Sequence, residues 1–316
     1  MGAMHLQAWQ SIADVTVAAV MSSDPKKLSG DLSGVGGNLE GAASTFDFKE
    51  IAKYTSFADM LADTSLDVID ICLPTHLHAD TAASALNEGR HVFLEKPLAL
   101  DSDTADRVVN TAAAKGKTLM VGQVLRFIAE YKALARELKQ FGPSRTALFR
   151  RRCAAPAWST WLTDPAKSGG ALLDLLIHDL DYCISLWGMP SGVRGSGHRD
   201  LSRGIDVTHA ELQYDGSGSV FVTGGWHHKQ AYPFAMEFTV STDAATYDWK
   251  HGGVMKRYTE AGTEEEVSLD SGDPFAAELS YFAQCLKNGT APTLCPPEES
   301  AQAIRLAEWI ERECRR

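Results

Sequence analysis

The feature that most constrains this chain is the exchange of short apolar runs with helix-length segments across its first third. "VTVAAV" (15–20) is a β-branched run, "FADMLAD" a short helical stretch, and "LDVIDICLP" (66–74) a second strand. "HADTAASALNEG" reads as a helix closed by Gly89, and "HVFLEKP" (91–97) as a third strand. "SDTADRVVNTAAAKG" then makes a helix ending at Gly116, with Ser102 as its expected N-cap, and "TLMVGQ" a fourth strand. Alternation at this spacing predicts a parallel sheet with helices on both faces. Ligands of such a sheet bind outside the carboxyl ends of its strands. Both "LPTHLH" and "EKP" fall at those ends.

After residue 123 the texture changes. "VLRFIAEYKALARELKQFG" is an amphipathic helix, "SRTALFRRRC" a strand, and "GGALLDLLIHDLDYCISLWG" (169–188) one long helix opened by glycines. Strand-like pieces follow, among them "DVTHAELQYDG", "GSVFVTGGWHH", "FAMEFTVST", "ATYDWKHGG", "VMKRYT" and "EEEVSL", separated by turns such as "DGSG" and "HGG". Two helices, "DPFAAELSYFAQCLKNG" and "PPEESAQAIRLAEWIERECRR", close the chain. The expected fold is α/β: a parallel-sheet domain over 1–123, then an α+β domain over 124–316 with a large, mostly antiparallel sheet.

The 316 residues, 44% of them hydrophobic, can fill one large or two medium cores. A net charge of −11 argues against nucleic acid and anionic lipid as partners. No apolar run approaches the roughly 20 residues that span a bilayer, and "MGAMHLQAWQ" lacks the basic and apolar regions of a signal peptide. Cys72, Cys153, Cys183, Cys285, Cys295 and Cys314 are scattered without a C-x-x-C pair. They read as reduced cytoplasmic thiols that pack as small hydrophobes. The Gly/Ser-rich "SGDLSGVGGNLEG" (29–41) reads as a loop.

Chemistry gathers in two places. Lys96 stands at the end of a buried strand between Glu95 and Pro97, where it projects into the predicted crevice. Lysine responds readily to desolvation and can hydrogen-bond a substrate oxygen or carry a proton. In "ALLDLLIHDLDY", Asp174 and His178 are four apart and so share a helical face, with Asp181 on the same side. A histidine one turn from a carboxylate can serve as an oriented general base, its pKa raised by that carboxylate. A metal site made by these three residues lacks a further ligand cluster, and none is expected. His227 and His228 are adjacent in a strand and should face opposite sides of the sheet.

"FLEKPLAL" together with "GGALLDLLIHDLDY" and "ICLPTHLHAD" closely resembles the Gfo/Idh/MocA oxidoreductases, the glucose–fructose oxidoreductase and inositol dehydrogenase group. The resemblance runs from residue 2 to the last helix. It implies a Rossmann domain binding NAD(P), a C-terminal α/β domain whose sheet builds homodimers or homotetramers, and reversible hydride transfer at a sugar or polyol carbon. By position it makes Lys96 the motif lysine touching substrate and nicotinamide, His178 the acid/base, and Asp174 the group orienting both. It places Leu73, Pro74, Thr75, His78 and Glu95 around the cofactor, and Arg126 and Trp161 in the substrate pocket.

Two departures qualify this reading. A Rossmann unit needs a first strand and a G-x-G-x-x-G turn, yet Gly2 matches only the third glycine and "AMHLQAWQS" the helix after it. An incomplete sequence, another segment filling the gap, or lost cofactor binding would each account for this, and the first is favoured. Loss of a central strand should bare a long hydrophobic edge. Second, Ser22 and Ser23 stand where an NAD-specific unit places an acid, with Lys26 and Lys27 nearby. That favours NADP over NAD. The expected activity is NAD(P)-dependent oxidation or reduction of a sugar or cyclic polyol. The alternative is a non-catalytic, metabolite-binding or regulatory relative.

Overall fold

A computed structural model describes residues 1–34, 36, 44–141, 144–215 and 218–315. Most of the predicted glycine-rich loop after Gly34, and the middle of the "DGSG" turn, lie outside the described residues.

The first half runs α1 (Gly2–Ser11), β1 (Ala19–Met21), α2 (Pro25–Leu28), β2 (Ala52–Tyr54), α3 (Phe57–Ala62), β3 (Val68–Ile71), α4 (His78–Asn87), β4 (His91–Glu95), α5 (Ser102–Lys115) and β5 (Leu119–Gly122). All strand pairs here are parallel, as the alternation requires. They form two sheets, β1-β2 and β3-β4-β5. The side chains at the free edge of β3 are not bared. Ile69 and Ile71 are buried in the core, and Asp70 is engaged by α1.

Some boundaries differ from expectation for local reasons. "VTVAAV" pairs only at its end, and β2 was not foreseen because "AKY" carries no apolar run. The N-cap of α5 is Asp101, whose carboxylate accepts the Thr104 N–H at 2.7 Å. Ser102 sits inside that helix and bonds Glu308 through both its N–H and its hydroxyl. Gly116 ends α5 in the left-handed region at φ 61°, the conformation a helix stop asks of glycine.

The second half follows with α6 (Ala129–Phe141), β6 (Ser144–Ala154), α7 (Pro165–Ser168), α8 (Gly170–Asp174), α9 (Ile177–Trp187), β7 (Gly192–Asp200), β8 (Ile205–Gln213), β9 (Ser219–His228), β10 (Ala235–Thr242), β11 (Ala245–Lys250), β12 (Lys256–Thr259), β13 (Glu264–Glu266), α10 (Pro274–Asn288) and α11 (Pro297–Cys314). The eight strands pair in the order β13-β12-β11-β10-β6-β9-β8-β7, antiparallel except for β6 with β9. Strand β7 escaped sequence reading because "GVRGSGHRD" has little apolar content. The one long helix expected over 169–188 is broken, with α8 stopping at Asp174 and α9 starting at Ile177.

The inner face of the large sheet buries Phe149, Phe238 and Tyr247, and α9 lays Tyr182 against them. Arg151, on the same face, is 3% exposed and would be costly alone; it donates to both oxygens of Asp179 on α9, at 2.7 and 3.1 Å. That pair fixes the register of α9 on the sheet. The closing helices return to the first half. Phe275 and Phe282 of α10 join Trp9 and Phe93 in one apolar cluster, and truncating either ring would cost about 3–5 kcal/mol.

Candidate active site

Strand β4 delivers Lys96 across a cis Lys96–Pro97 peptide. Its ammonium donates to the Asp174 carbonyl at 2.7 Å and lies 3.3 Å from an Asp174 carboxylate oxygen. Both side chains keep partial exposure, 15% and 18%, so the pair borders solvent. The crevice lysine of the parallel sheet thus meets the end of α8 from the other half of the chain.

Asp174 does not orient His178. The two were expected to face each other one turn apart, but that spacing assumed a continuous helix, and the break at Leu175–Leu176 removes it. His178 Nδ1 is shielded from solvent without a hydrogen-bond partner. Nε2 is neither bonded nor shielded, which leaves it the accessible nitrogen of a half-buried ring. Burial, then the charges of Lys96 and Arg151, push the His178 pKa well below its usual value. The expected rise is therefore reversed. Protonating the ring would place a further cation near Lys96 and Arg151 in a poorly solvated setting.

Asp181 is also elsewhere. It is fully buried and accepts two bonds from Arg126, at 2.7 and 2.8 Å. Arg126 further donates to Glu299 and to the Leu294 carbonyl. A guanidinium so engaged is not free for a substrate hydroxyl. It ties the start of the second half to α9 and α11. Trp161 is partly buried against the cluster of Cys153, Leu162, Leu175 and Trp226, a packing role beneath α8.

The turn after β3 is as expected. A short 3-10 turn covers Thr75–Leu77, Thr75 is buried, and His78 sits 2.7 Å from both the Leu73 and Pro97 carbonyls. That histidine clamps the "LPTH" turn to the cis proline, and burial holds its pKa below the usual value despite the two acceptors. Glu95 turns into the protein: Oε1 lies 2.8 Å from His5 Nε2, and Oε2 accepts the Lys96 backbone N–H at 3.2 Å.

Around β1, Ser22 stands at the strand end and its hydroxyl accepts the Asp24 N–H. Asp24 caps α2, so its carboxylate is occupied locally. Ser23 is exposed beside it. Gly2 opens α1, and a Cβ there would meet only Cys72 at an ordinary 3.8 Å. The leading N–H groups of a helix that starts on glycine are the kind of donors a dinucleotide diphosphate takes, and no side chain crowds Gly2 closer than Cys72.

His227 and His228 do not split between faces. The pairing slips where Ala154 meets His228, a bulge that sets the two rings 4.2 Å apart, with His228 stacked on Tyr232. Sequence reading also missed His5, Tyr131 and the Arg151–Asp179 pair. The available signal was that His5 and Trp9, four apart, share a face of α1; both reach Asp70.

The model for the "Oxidoreductase family, NAD-binding Rossmann fold" matches residues 1–123, and that for the "GFO/IDH/MocA C-terminal domain" matches 136–247. The chain belongs to the Gfo/Idh/MocA oxidoreductase family. It is 27% identical over 265 residues to D-xylose 1-dehydrogenase (NADP(+)) 2 of Haloferax volcanii, 81% of each chain. It is 28% identical over 177 residues to the scyllo-inositol 2-dehydrogenase (NADP(+)) of Bacillus subtilis, where the match spans 54% of each chain, about half of that relative's length. Among solved structures, the aldose-aldose oxidoreductase of Caulobacter crescentus superposes with a TM-score of 0.83 at 19% identity, covering 98% of this chain and 92% of that one. That likeness is one of fold.

Proposed function

We propose that the chain is an NAD(P)-dependent oxidoreductase acting on a hydroxyl or carbonyl carbon of a sugar, cyclic polyol or related compound. The observation that carries this is the meeting of Lys96 with the end of α8 beside a histidine whose Nε2 is unbonded. Two relatives are named as NADP(+)-dependent dehydrogenases of a sugar and an inositol. Ser22 and Ser23 at the end of β1, in place of an acid, favour NADP.

When bound, the nicotinamide would supply the hydride acceptor or donor. The Lys96 ammonium has three N–H donors, two of which are directed at Asp174. The third can hydrogen-bond the reacting oxygen and stabilise charge that develops on it. During oxidation the hydroxyl proton passes to His178 Nε2 as the C–H bond breaks; reduction returns it. Asp174 holds the lysine at the crevice.

The working assembly is a homodimer or homotetramer in the cytoplasm. The large sheet keeps an outer face carrying Leu148, Arg150 and Thr239, with Phe221 39% exposed, and all six cysteines are free thiols. Light scattering of wild type and Phe221→Glu tests the assembly.

The test of function is quenching of the fluorescence of seven tryptophans by NADPH and NADH, then a screen of polyols and aldoses with both nucleotides. Quenching with NADPH and turnover of at least one sugar or polyol are expected. No quenching by either nucleotide would favour the non-catalytic relative instead.

A further inference from the structure

We propose that His5 is a positioning residue for Lys96, acting through the Glu95 carboxylate. This rests on the reading of Lys96 as the substrate-facing lysine. The His5 ring is 1% exposed and bridges two strands: Nδ1 lies 2.9 Å from Asp70 on β3, and Nε2 lies 2.8 Å from Glu95 on β4. Glu95 uses its other oxygen to accept the Lys96 backbone N–H. One ring thus links α1, the open edge of β3 and the residue that aims the lysine.

The surroundings leave the ring little other purpose. Phe93 meets it edge-on at 5.5 Å and Phe275 lies 6.3 Å away. Trp9 donates to the same Asp70 oxygen at 2.7 Å, and Cys72 Sγ is 3.3 Å from Nδ1. Burial opposes charge on His5, but Asp70 and Cys72 outweigh it and hold its pKa well above the usual value. Both nitrogens then donate. Glu278 on α10 is fully buried with both oxygens unpartnered, and burial followed by the Glu95 charge raises its pKa well beyond the carboxylate range. Glu278 makes no hydrogen bond to the ring, whose two nitrogens face the carboxylates of Asp70 and Glu95. His5, Asp70 and Cys72 do bring ligand atoms within 4.8 Å of one another. Each ring nitrogen already has a carboxylate partner, so the ring works as a strut rather than a metal ligand.

If His5 sets the Glu95 carboxylate, losing it frees that carboxylate to rotate and lets the Lys96 turn drift. A shift of about 1 Å at a reacting group can cost on the order of a hundredfold in rate. Two measurements decide the matter. Trace acetylation followed by peptide mass spectrometry gives the reactivity of Lys96 relative to exposed Lys115, with no need for turnover. In His5→Gln this ratio should rise at least about threefold, because the ammonium spends less time on Asp174. Steady-state rates give the second: His5→Gln should lower kcat by about tenfold with Lys96 present, but less than about twofold in the Lys96→Ala background. A merely structural role would cost the same in both.

Should His5→Gln fail to fold, Glu95→Gln, which weakens the same link from its other end, is read in the same way. An unchanged labelling ratio in both variants would overturn the proposal. A raised ratio in a protein that turns over no sugar or polyol would uphold the strut and reject the oxidoreductase reading, so the two failures are distinguishable.

Discussion

The pH profile of oxidation is where this site differs most from a histidine backed by a carboxylate. In the latter arrangement the base would titrate above its usual pKa of about 6.5, and activity would fall on going from pH 8 to pH 6.5. Here His178 has no carboxylate partner, its Nδ1 is enclosed, and Lys96 and Arg151 oppose its protonation. Its pKa is depressed, so the ring stays neutral and competent through that interval. The fraction of neutral base falls about tenfold per pH unit only below the pKa. Oxidation should therefore vary by less than about twofold between pH 8 and pH 6.5, and lose rate only at more acid pH. His178→Asn should reduce kcat by roughly two to four orders of magnitude while leaving nucleotide quenching nearly unchanged. The assay is initial rate of NAD(P)H formation in a constant-ionic-strength buffer series. An acid limb at or above pH 6.5 that disappears in His178→Asn would refute the depressed pKa. A limb that survives the substitution would remove His178 from the chemistry altogether.

Three other outcomes follow from the same geometry. Lys96→Ala should lower kcat by about two to four orders of magnitude with the fold intact by circular dichroism; a change confined to KM would make Lys96 a binding group only. Ser22→Asp should move preference from NADPH toward NADH through repulsion of a 2′-phosphate, read as the ratio of the two dissociation constants, and an unmoved ratio would place Ser22 away from the ribose. Arg126→Met leaves Asp181, which is 0% exposed, as an unpaired buried charge, at a cost of about 3–5 kcal/mol. At about 2–4 °C per kcal/mol the melting temperature should fall by roughly 6–20 °C, and adding Asp181→Leu should recover most of it. A raised substrate KM at unchanged melting temperature would instead return Arg126 to the substrate pocket.

The fold was legible where periodicity and punctuation agreed. "HVFLE" became β4, and "SDTADRVVNTAAAK" became α5, capped by Asp101 instead of Ser102 and stopped by Gly116. Strands β2 and β7 were invisible because their backbone pairing carries polar or small side chains, and nothing in "AKY" or "GVRGSGHRD" marks a buried face. In the site, Lys96 could be found because a charged residue ending an apolar run is anomalous wherever it occurs. Asp174 was assigned to the histidine, and its contact with the lysine was not foreseen, since helical spacing across Leu175–Leu176 cannot reveal a break in which every residue is a good helix former. Arg126 and Asp181 were misread because a buried pair joins segments 55 residues apart, a distance over which local pattern says nothing. His227 and His228 failed on a bulge, a feature set by the partner strand's register rather than by their own sequence.

That break in the helix is what makes the site. In a continuous α-helix the carbonyl of Asp174 would accept the N–H of His178 and be spent within the backbone. Because α8 stops at Asp174 and α9 begins anew at Ile177, the carbonyl is released, as the last carbonyls of any helix are, and the Lys96 ammonium takes it at 2.7 Å. Opposite this end, Gly170 starts α8 at φ 78°, where a Cβ would come within 2.4 Å of Asp206, and the Asp206 carboxylate caps the helix through the Ala171 N–H at 2.7 Å. The short helix is thus held at its N-terminus by strand β8 and at its C-terminus by a lysine from the parallel sheet. Across the same interruption His178 makes no hydrogen bond to Asp174: the carboxylate lies against the lysine, and the histidine Nδ1 is left without a partner. One local departure from helical geometry therefore separates the two side chains: a cation fixed at the Asp174 carbonyl and an imidazole left without a hydrogen-bond partner.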